Sequence, residues 1–125
     1  MTKRDYNDTD LKQYSGRMLE NLGLKFKDVT KESGLLHYGY GLGVVVSDIN
    51  NDNWPDLYVA NDFTIPDKIF INNGNKTFTD KIKSFTNQTS WFSMGVDISD
   101  FNNDGFVDIG LLDMASQDHV RGKIF

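Results

Sequence analysis

The stretch GVVVSDINNDNWPD, which runs from Gly43 to Asp56, recurs in the chain as GVDISDFNNDGFVD, from Gly95 to Asp108. The two copies align without a gap at an offset of 52 residues, and eight of their 14 positions are identical. Self-similarity at a fixed spacing of this size is typical of proteins built from repeated structural units. The chain is therefore expected to fold as a repeat protein.

Each copy has the pattern of two strands joined by a polar loop. A short stretch rich in β-branched residues enters the loop (Val44–Val46 or Val96–Ile98), and an apolar stretch leaves it (Leu57–Ala60 or Ile109–Leu112). Short apolar runs bounded by Asn, Asp and Gly are typical of β-strands that end in turns. We therefore predict a strand, a loop and a strand in both copies.

Two further strands are predicted between the copies. Residues 67–71 and 76–80 flank the segment Asn72–Asn75, whose Asn and Gly residues tolerate the positive φ angles of a hairpin turn. Four strands in about 50 residues is the size of a propeller blade. Residues 40–85 are thus predicted to form a full four-stranded antiparallel blade, and residues 92–118 the first part of another.

The segment upstream of the full blade admits two interpretations. Residues 21–28 repeat the Asn-x-Gly, Lys, Phe, Asp order of residues 72–80 with one residue fewer, which predicts a hairpin. The alternative is a helix that Asp10 would cap and Gly23 would end. Its apolar stripe would comprise Leu11, Tyr14, Met18 and Leu22. We favour the hairpin over residues 17–28, which leaves residues 1–16 as a linker and residues 17–125 as a repeat region.

The predicted fold class is an all-β, incomplete β-propeller that contains a partial blade, a full blade and a second partial blade. About two blades cannot close a propeller, which typically has four to eight. The strand edges and inter-blade faces of such a piece invite association. We therefore expect the remaining blades of a longer parent chain, or self-association, to complete the sheet.

The composition excludes several classes of protein. The chain has 125 residues, a formal net charge of −5 and no Cys. The acidic balance argues against nucleic-acid binding, which needs clustered Lys and Arg, and the lack of Cys removes disulfides and thiolate metal sites. No apolar run approaches the ~20 residues that span a bilayer. Sixteen of the 18 acidic residues are Asp, which favours turns, so the composition indicates strands joined by carboxylate-rich turns.

The two polar loops carry the candidate chemistry. We call residues 48–56 the first loop and residues 100–108 the second loop; both place oxygen side chains at loop positions 1, 3, 5 and 9. A hard cation such as Ca²⁺ takes six to eight oxygen ligands, and position 7 would add a backbone carbonyl. The candidate ligands are Asp48, Asn50, Asp52, Trp54 (carbonyl) and Asp56 in the first loop, and Asp100, Asn102, Asp104, Phe106 (carbonyl) and Asp108 in the second. We predict two Ca²⁺ sites.

The loop sequences also suggest two other interpretations, an EF-hand and ordinary turns. An EF-hand needs a bidentate Glu at position 12, which is Val59 in one copy and Leu111 in the other, and it needs flanking helices. The EF-hand is therefore excluded. Asp, Asn and Gly also make ordinary hydrogen-bonded turns. Two copies in register, with all three Asp retained, favour the metal site over simple turns, because three crowded carboxylates repel one another without a cation.

The loops and their flanks resemble the FG-GAP or VCBS repeat of integrin-alpha-like β-propellers, in which a DxDxDGxxD calcium loop joins the first two strands of a blade. GLGVVVSDINNDNWPDLYVANDF (41–63) and TSWFSMGVDISDFNNDGFVDIGLLDM (89–114) are also similar to repeats of bacterial ASPIC/UnbV-type proteins, as is FKDVT (26–30). The chain departs from the pattern at Asn53, which replaces Gly, and at Asn50 and Asn102, which replace Asp.

The resemblance implies a calcium-stabilised, non-catalytic binding or adhesion module of a larger exported bacterial protein. Such a module would lie at the cell surface, in the periplasm or outside the cell, and would bind a protein or glycan ligand without a membrane span of its own. The alternative is a non-catalytic part of a secreted carbohydrate-active enzyme such as a propeller-type polysaccharide lyase. His37 and His119 have no partner motif for catalysis, so we predict no enzymatic activity.

Several smaller features receive structural interpretations. Trp54, Trp91, Phe92 and Tyr40 could stack on sugar rings, but aromatic residues at strand ends are expected to pack. The pair Asn61–Asp62 after the second strand is expected to turn the chain.

Overall fold

The structure of the chain, a computed structural model, describes residues 13–62, 65–90 and 92–114. Residues 1–12, which form most of the predicted linker, lie outside the described residues, as do Trp91 and His119. The described residues form antiparallel sheets and one complete turn of helix, and Gln13 and Tyr14 are also helical. The strands are β1 (Leu19–Asn21), β2 (Phe26–Asp28), β3 (Gly41–Ser47), β4 (Asp56–Asn61), β5 (Lys68–Asn72), β6 (Phe78–Asp80), β7 (Ser93–Ser99) and β8 (Asp108–Asp113). The helix α1 (Ile82–Phe85), which the sequence did not predict, follows β6.

Within the described residues the strands pair as a two-stranded sheet, a four-stranded sheet and another two-stranded sheet, in the orders β1-β2, β3-β4-β5-β6 and β7-β8. We call them the first sheet, the full blade and the third sheet. The prediction of an all-β, incomplete propeller is confirmed by this arrangement. No helix in the described part of the chain is long and apolar enough to cross a membrane.

The two copies of the repeat have the same strand register. Ser47 lies opposite Asp56 in the full blade, and Ser99 lies opposite Asp108 in the third sheet. Both pairs also carry a bulge at the start of the first strand, between Gly41 and Gly43 and between Ser93 and Gly95. The predicted strand, loop and strand are therefore present twice with one geometry.

The first sheet repeats the β5–β6 hairpin of the full blade. Leu19 lies opposite Asp28 as Phe70 lies opposite Asp80. The hydrogen bonds agree too, since the Val29 N–H donates to the carbonyl of Met18 at 2.9 Å and the Lys81 N–H to that of Ile69 at 2.8 Å. The hairpin interpretation of residues 17–28 is confirmed, and β1–β2 corresponds to the outer half of a blade.

The core lies between the full blade and the third sheet. Its buried members come from β4, β5 and α1, and are Tyr58, Ala60, Ile69 and Ile82. Partly buried side chains of β7 and β8 pack against them, among them Val96, Ile98, Ile109 and Leu111. Removing this apolar surface from water is the main favourable term that holds the two sheets face to face.

Candidate metal centres

The first loop is wound around the carboxylate of Asp48. One oxygen of Asp48 accepts a hydrogen bond from the Asp52 N–H at 3.0 Å, and the other accepts one from the Asn53 N–H at 2.8 Å. Both oxygens of a carboxylate have two acceptor positions, so each keeps one after these bonds form. The Asp48 side chain therefore organises the loop and retains acceptor capacity.

Asn50 and Asp52 continue the same pattern. The Asn50 Oδ1 atom accepts from the Asp52 N–H at 3.2 Å, and the Asn50 amide donates to Asp52 Oδ2 at 2.9 Å. The other oxygen of Asp52 accepts from the Trp54 N–H at 2.8 Å. Alternate side chains at positions 1, 3 and 5 are thus held on the inside of the loop by its own backbone.

The second loop reproduces these bonds. The Asp100 carboxylate accepts from the N–H groups of Asp104 at 3.0 Å and Gly105 at 2.8 Å. The Asn102 Oδ1 atom accepts from the Asp104 N–H at 3.2 Å, and Asp104 accepts from the Phe106 N–H at 2.9 Å. The Asn102 amide donates to Asp104 at 3.1 Å, again as in the first loop. Two loops with different residues at several positions therefore have one hydrogen-bond pattern.

The backbone of both loops passes through the left-handed region twice. Position 6 has φ of 68° at Asn53 and 90° at Gly105. Position 4 also has a positive φ, 60° at Asn51 and 59° at Asn103, which the sequence analysis did not anticipate. Asn is among the few residues with a side chain that adopt this region readily. The Asn at position 4 of each loop was therefore the feature of the sequence that could have indicated this positive φ.

Position 9 has a different role from positions 1, 3 and 5. Asp56 is fully buried, and its two oxygens accept from the Ile49 N–H at 2.9 Å and from the Asn72 N–H at 2.8 Å. Asn72, the last residue of β5, also donates its side-chain amide to the Pro55 carbonyl at 3.0 Å. Asp56 therefore closes the loop and joins it to the neighbouring hairpin. In the second loop, Asp108 accepts from the Phe101 N–H at 3.0 Å.

The chemical type of the candidate ligand atoms fits a hard cation. The predicted ligands of both loops are carboxylate, amide and backbone carbonyl oxygens, which suit Ca²⁺ better than transition metals. Across residues 13–62, 65–90 and 92–114, no three His, Asp or Glu side chains converge on one point, so the carboxylates do not form a cluster by themselves. A site here would therefore also need Asn50 or Asn102 and the position-7 carbonyl as ligands.

The aromatic residue at position 7 packs differently in the two loops. The Trp54 indole covers the β5–β6 turn, where a Cβ added to Gly74 would lie 3.1 Å from it. Phe106, the equivalent residue of the second loop, is 63% exposed.

Tyr40, which precedes β3, packs against other aromatic residues. It makes edge contacts with Tyr14 and Tyr38, at centroid distances of 5.7 and 5.8 Å.

A buried carboxylate outside the loops was not singled out by the sequence analysis. Asp67 is fully buried and accepts from the Tyr58 hydroxyl at 2.7 Å, the Asn61 N–H at 2.8 Å and the Ser93 hydroxyl at 2.9 Å. Burial and the neighbouring carboxylate raise the pKa of Tyr58 well above its ordinary value. Asp67 gave no sequence signal, because its partners come from two separate strands, β4 and β7, that meet only in the folded protein.

The expectation that Asn61–Asp62 turns the chain is wrong for Asn61. This residue is the last of β4, lies opposite Gly41 and is fully buried. Its amide donates to the Pro66 carbonyl at 2.9 Å, while its Oδ1 atom has no hydrogen-bond partner among the described residues. The strand continues because the bulge after Gly41 keeps β3 paired with β4 to this point.

His37 is packed in the protein. Its ring lies against Phe70, with centroids 5.3 Å apart, and its Nδ1–H donates to the carbonyl of Leu35 at 2.8 Å. Burial lowers the pKa of His37 below its ordinary value, and the nearby Lys68 lowers it further, against the opposing effect of the Leu35 carbonyl. Both burial and Lys68 therefore disfavour the protonated imidazole.

The repeated loops between antiparallel strands define a repeat module of the β-propeller class. The chain belongs to the FG-GAP-like repeat family, which matches residues 48–111. The match begins with Asp48, the first candidate ligand of the first loop, and ends in β8. The predicted resemblance to FG-GAP repeats is confirmed, whereas the resemblance to ASPIC/UnbV-type proteins stays a prediction.

Three animal proteins are similar to this chain. Cartilage acidic protein 1 of Mus musculus is 37% identical over 87 residues, and that of Homo sapiens is 36% identical over 87 residues. These matches cover 69% of this chain and 13% of each relative. Integrin alpha-3 of Mus musculus is 30% identical over 112 residues, which cover 81% of this chain and 10% of the relative. The chain thus spans a small part of the length of these relatives.

Proposed function

We propose that the chain is a calcium-stabilised, non-catalytic FG-GAP repeat module that serves binding or adhesion at a cell surface. The observation that carries the proposal is the common hydrogen-bond pattern of two loops that share Asp or Asn at positions 1, 3, 4, 5 and 9 but differ at the other positions. An ordinary turn needs only one or two of those side chains, whereas a cation site needs all of them. Retention of the full oxygen set in both loops supports metal binding.

Each loop would hold one Ca²⁺ through its own residues. In the first loop these are Asp48, Asn50, Asp52, the Trp54 carbonyl and Asp56; in the second they are Asp100, Asn102, Asp104, the Phe106 carbonyl and Asp108. Ligands supplied within nine residues leave little open coordination for a substrate, whereas a catalytic metal keeps an exchangeable position. The proposed role of the ion is therefore structural: it would neutralise the carboxylates and hold the loop between two strands.

The cellular location of the protein is proposed from its charge distribution and from its similarity to known proteins. Residues 84–120 contain six Asp and no Lys or Arg, so the acidity is concentrated around the second loop. Sites with the weak affinity of extracellular calcium modules fill only in a compartment in which calcium is plentiful. Together with the similarity to an integrin, this supports an exported protein, of which this chain is one part, that binds a protein or glycan ligand.

The proposal is tested by thermal unfolding and calorimetry on the whole chain. Ca²⁺ that binds only the folded state stabilises it by RT ln(1 + [Ca²⁺]/Kd), about 2.7 kcal/mol per site at a hundredfold excess over Kd. We expect EDTA to lower the melting temperature, Ca²⁺ to restore it, and Mg²⁺ to restore it poorly because Mg²⁺ prefers to keep its water shell. An unchanged melting temperature in EDTA, with no calcium uptake by calorimetry, would show that the loops are simple turns.

A further inference from the structure

A pocket of about 500 Å³ lies beside α1, at one end of the full blade. It is formed where β5 begins, at Lys68, and where β6 ends, at Asp80. The first loop lies at the other end of the blade, because Asp56 of that loop accepts a hydrogen bond from Asn72, the last residue of β5. Pockets that bind small ligands have volumes of about 300–1,000 Å³. The pocket therefore has the size of a ligand site and is separate from the first candidate metal site.

The pocket is positively charged. Lys68, Lys81 and Lys83 line it, and we call it the lysine pocket. Asp80, its one acidic lining residue, is engaged at both oxygens, since Oδ2 pairs with Lys68 at 2.8 Å and Oδ1 accepts from the Ile82 N–H at 3.1 Å. Lys81 and Lys83 are exposed and have no carboxylate partner among the described residues. Two ammonium groups are thus left to pair with an anion.

The sequence concentrates positive charge at this place. Residues 68–83 contain four Lys and one Asp, which is a net charge of +3. Residues 41–67 contain five Asp and no Lys or Arg, and residues 84–120 contain six Asp and again no Lys or Arg. An anion is repelled by the two acidic segments and attracted to the segment between them. Within residues 41–120, the charge therefore favours the lysine pocket as the place for an anionic ligand.

The backbone that carries the two exposed lysines is held in place. Ile82, which lies between them in sequence, is buried in the core cluster. The Lys81 N–H donates to the carbonyl of Ile69 at 2.8 Å, and the Thr86 N–H donates to the carbonyl of Ile82 at 3.0 Å. A backbone that is already fixed lowers the entropy lost when a ligand binds. The lysine pocket is therefore partly preorganised.

Hydroxyl and amide groups lie beside the lysines. Ser84, Asn87 and Thr89 line the same pocket, and their side chains make no hydrogen bond within the described part of the chain. The Thr86 hydroxyl is used within the local turn, because it donates to the Gln88 carbonyl at 2.6 Å and accepts from the Gln88 N–H at 3.1 Å. Hydroxyl and amide side chains both donate and accept, as the hydroxyls of a sugar do. The combination fits a sugar with an acidic substituent better than an acidic peptide, whose side chains would use the ammonium groups alone.

We propose that the lysine pocket binds an acidic glycan, that is, a saccharide that carries sulfate or carboxylate groups. Lys81 and Lys83 pair with the anionic groups, while the side chains of Ser84, Asn87 and Thr89 bind sugar hydroxyls. This inference rests on the binding role proposed above and names the class of ligand. It does not depend on calcium, because none of the residues that line the pocket belongs to either loop.

The ligand class is tested by calorimetry on the full chain with three probes that share one backbone: dextran sulfate, carboxymethyl dextran and neutral dextran. Ca²⁺ is present throughout, and each probe is also titrated into buffer alone. We expect at least one acidic dextran to bind, with an affinity that falls as salt is added, and we expect neutral dextran not to bind. The two acidic probes distinguish sulfate from carboxylate. Failure of both to bind, or equal binding of neutral dextran, would overturn the proposal.

Two double variants with the same change in charge locate the site. Lys81→Gln with Lys83→Gln should weaken the binding of the acidic dextran at least about tenfold, which corresponds to the loss of a single charged hydrogen bond. Lys25→Gln with Lys27→Gln removes the same two charges from the β1–β2 hairpin and should change the affinity little. Equal weakening by the two double variants would show that binding follows net charge alone, and the lysine pocket would then not be the site.

Polyglutamate tests the competing ligand class, because it has carboxylates and no sugar hydroxyls. Ser84→Ala with Thr89→Val should weaken the binding of the acidic dextran and leave any binding of polyglutamate unchanged. Polyglutamate that binds more tightly than both acidic dextrans would overturn the assignment to a glycan.

The same proteins also separate this inference from the calcium proposal. Melting temperatures of the wild-type chain and of the lysine variants are measured in Ca²⁺ and in EDTA, and we expect Ca²⁺ to raise them equally. Loss of glycan binding in a chain that Ca²⁺ still stabilises would overturn this inference alone.

Discussion

The hydroxyl of Ser93 donates a hydrogen bond to Asp67 at 2.9 Å, and this bond crosses from the third sheet to the full blade. Both residues are fully buried. The same carboxylate accepts bonds from Tyr58 and Asn61 of β4. Successive blades are therefore joined by a satisfied polar network as well as by apolar contact, which fixes their relative position more closely than apolar contact alone.

Replacement of Asp67 by Ala should destabilise the chain by about 3 kcal/mol or more. Three buried donors would lose their acceptor, and each buried unpaired group costs about 1–3 kcal/mol. Ser93→Ala removes one donor and leaves the others paired, so it should cost about 1 kcal/mol. Urea denaturation measures both. Asp97→Ala, at an exposed position of β7, is the control and should have little effect.

Replacement of Asp48 or Asp100 by Ala should abolish one calcium site each. The carboxylate at position 1 accepts two backbone hydrogen bonds and would supply a charged ligand, so its loss removes both contributions. Isothermal calorimetry should show one site instead of two in each variant. Asn50→Ala should weaken its site less, because no charge is lost. Two remaining sites in Asp48→Ala would remove Asp48 from the ligand set.

Replacement of Gly74 by Ala should cost more than replacement of Gly23 by Ala. Both glycines have a positive φ, 76° and 92°, and occupy equivalent positions in the two hairpin turns. A Cβ at Gly23 meets nothing within 4 Å, whereas one at Gly74 lies 3.1 Å from the Trp54 indole. The backbone cost of about 1–2 kcal/mol is common to both variants. The difference in unfolding free energy therefore measures how tightly Trp54 covers the turn, and equal costs would show that the indole moves away freely.

The stability of the chain should fall as the pH is lowered through about 6.5, the ordinary pKa of His. The pKa of His37 is lowered in the folded state by burial, so the unfolded chain takes up this proton first. The stabilisation is therefore present above the unfolded pKa and is lost as the pH falls toward the folded pKa. His37→Gln should flatten this part of the profile, measured as urea midpoints on either side of the window. Equal pH slopes in both proteins would show that His37 does not contribute.

The strands and loops could be predicted because the information for them is local. A gapless repeat with β-branched flanks determines two strands and a loop from about 14 consecutive residues, and the structure reproduces them twice. In the same way, the Asn-x-Gly turns predicted both hairpins from a few consecutive residues, and the structure contains both. The candidate ligands could be named for the same reason, although the presence of the ion stays a prediction.

The contacts between elements could not be predicted. Asp67 and Ser93 are 26 residues apart, and neither has a neighbour in sequence that indicates burial. Asn61 was expected in a turn because Asn favours turns, yet tertiary packing places it in a strand. Likewise, Asp56 was expected only to face a metal, and its bond to Asn72 depends on strands that meet only in the folded sheet.

The two loops differ at four of their nine positions. Three of those positions, occupied by Ile49, Asn53 and Trp54 in the first loop, give only a backbone N–H to the loop's carboxylates, and the second loop does the same. The side chains at these three positions make none of the hydrogen bonds that hold the loop together. One of them, Trp54, covers the neighbouring turn instead, so a position at which the loop needs only its main chain leaves the side chain available for a contact that differs between the two copies.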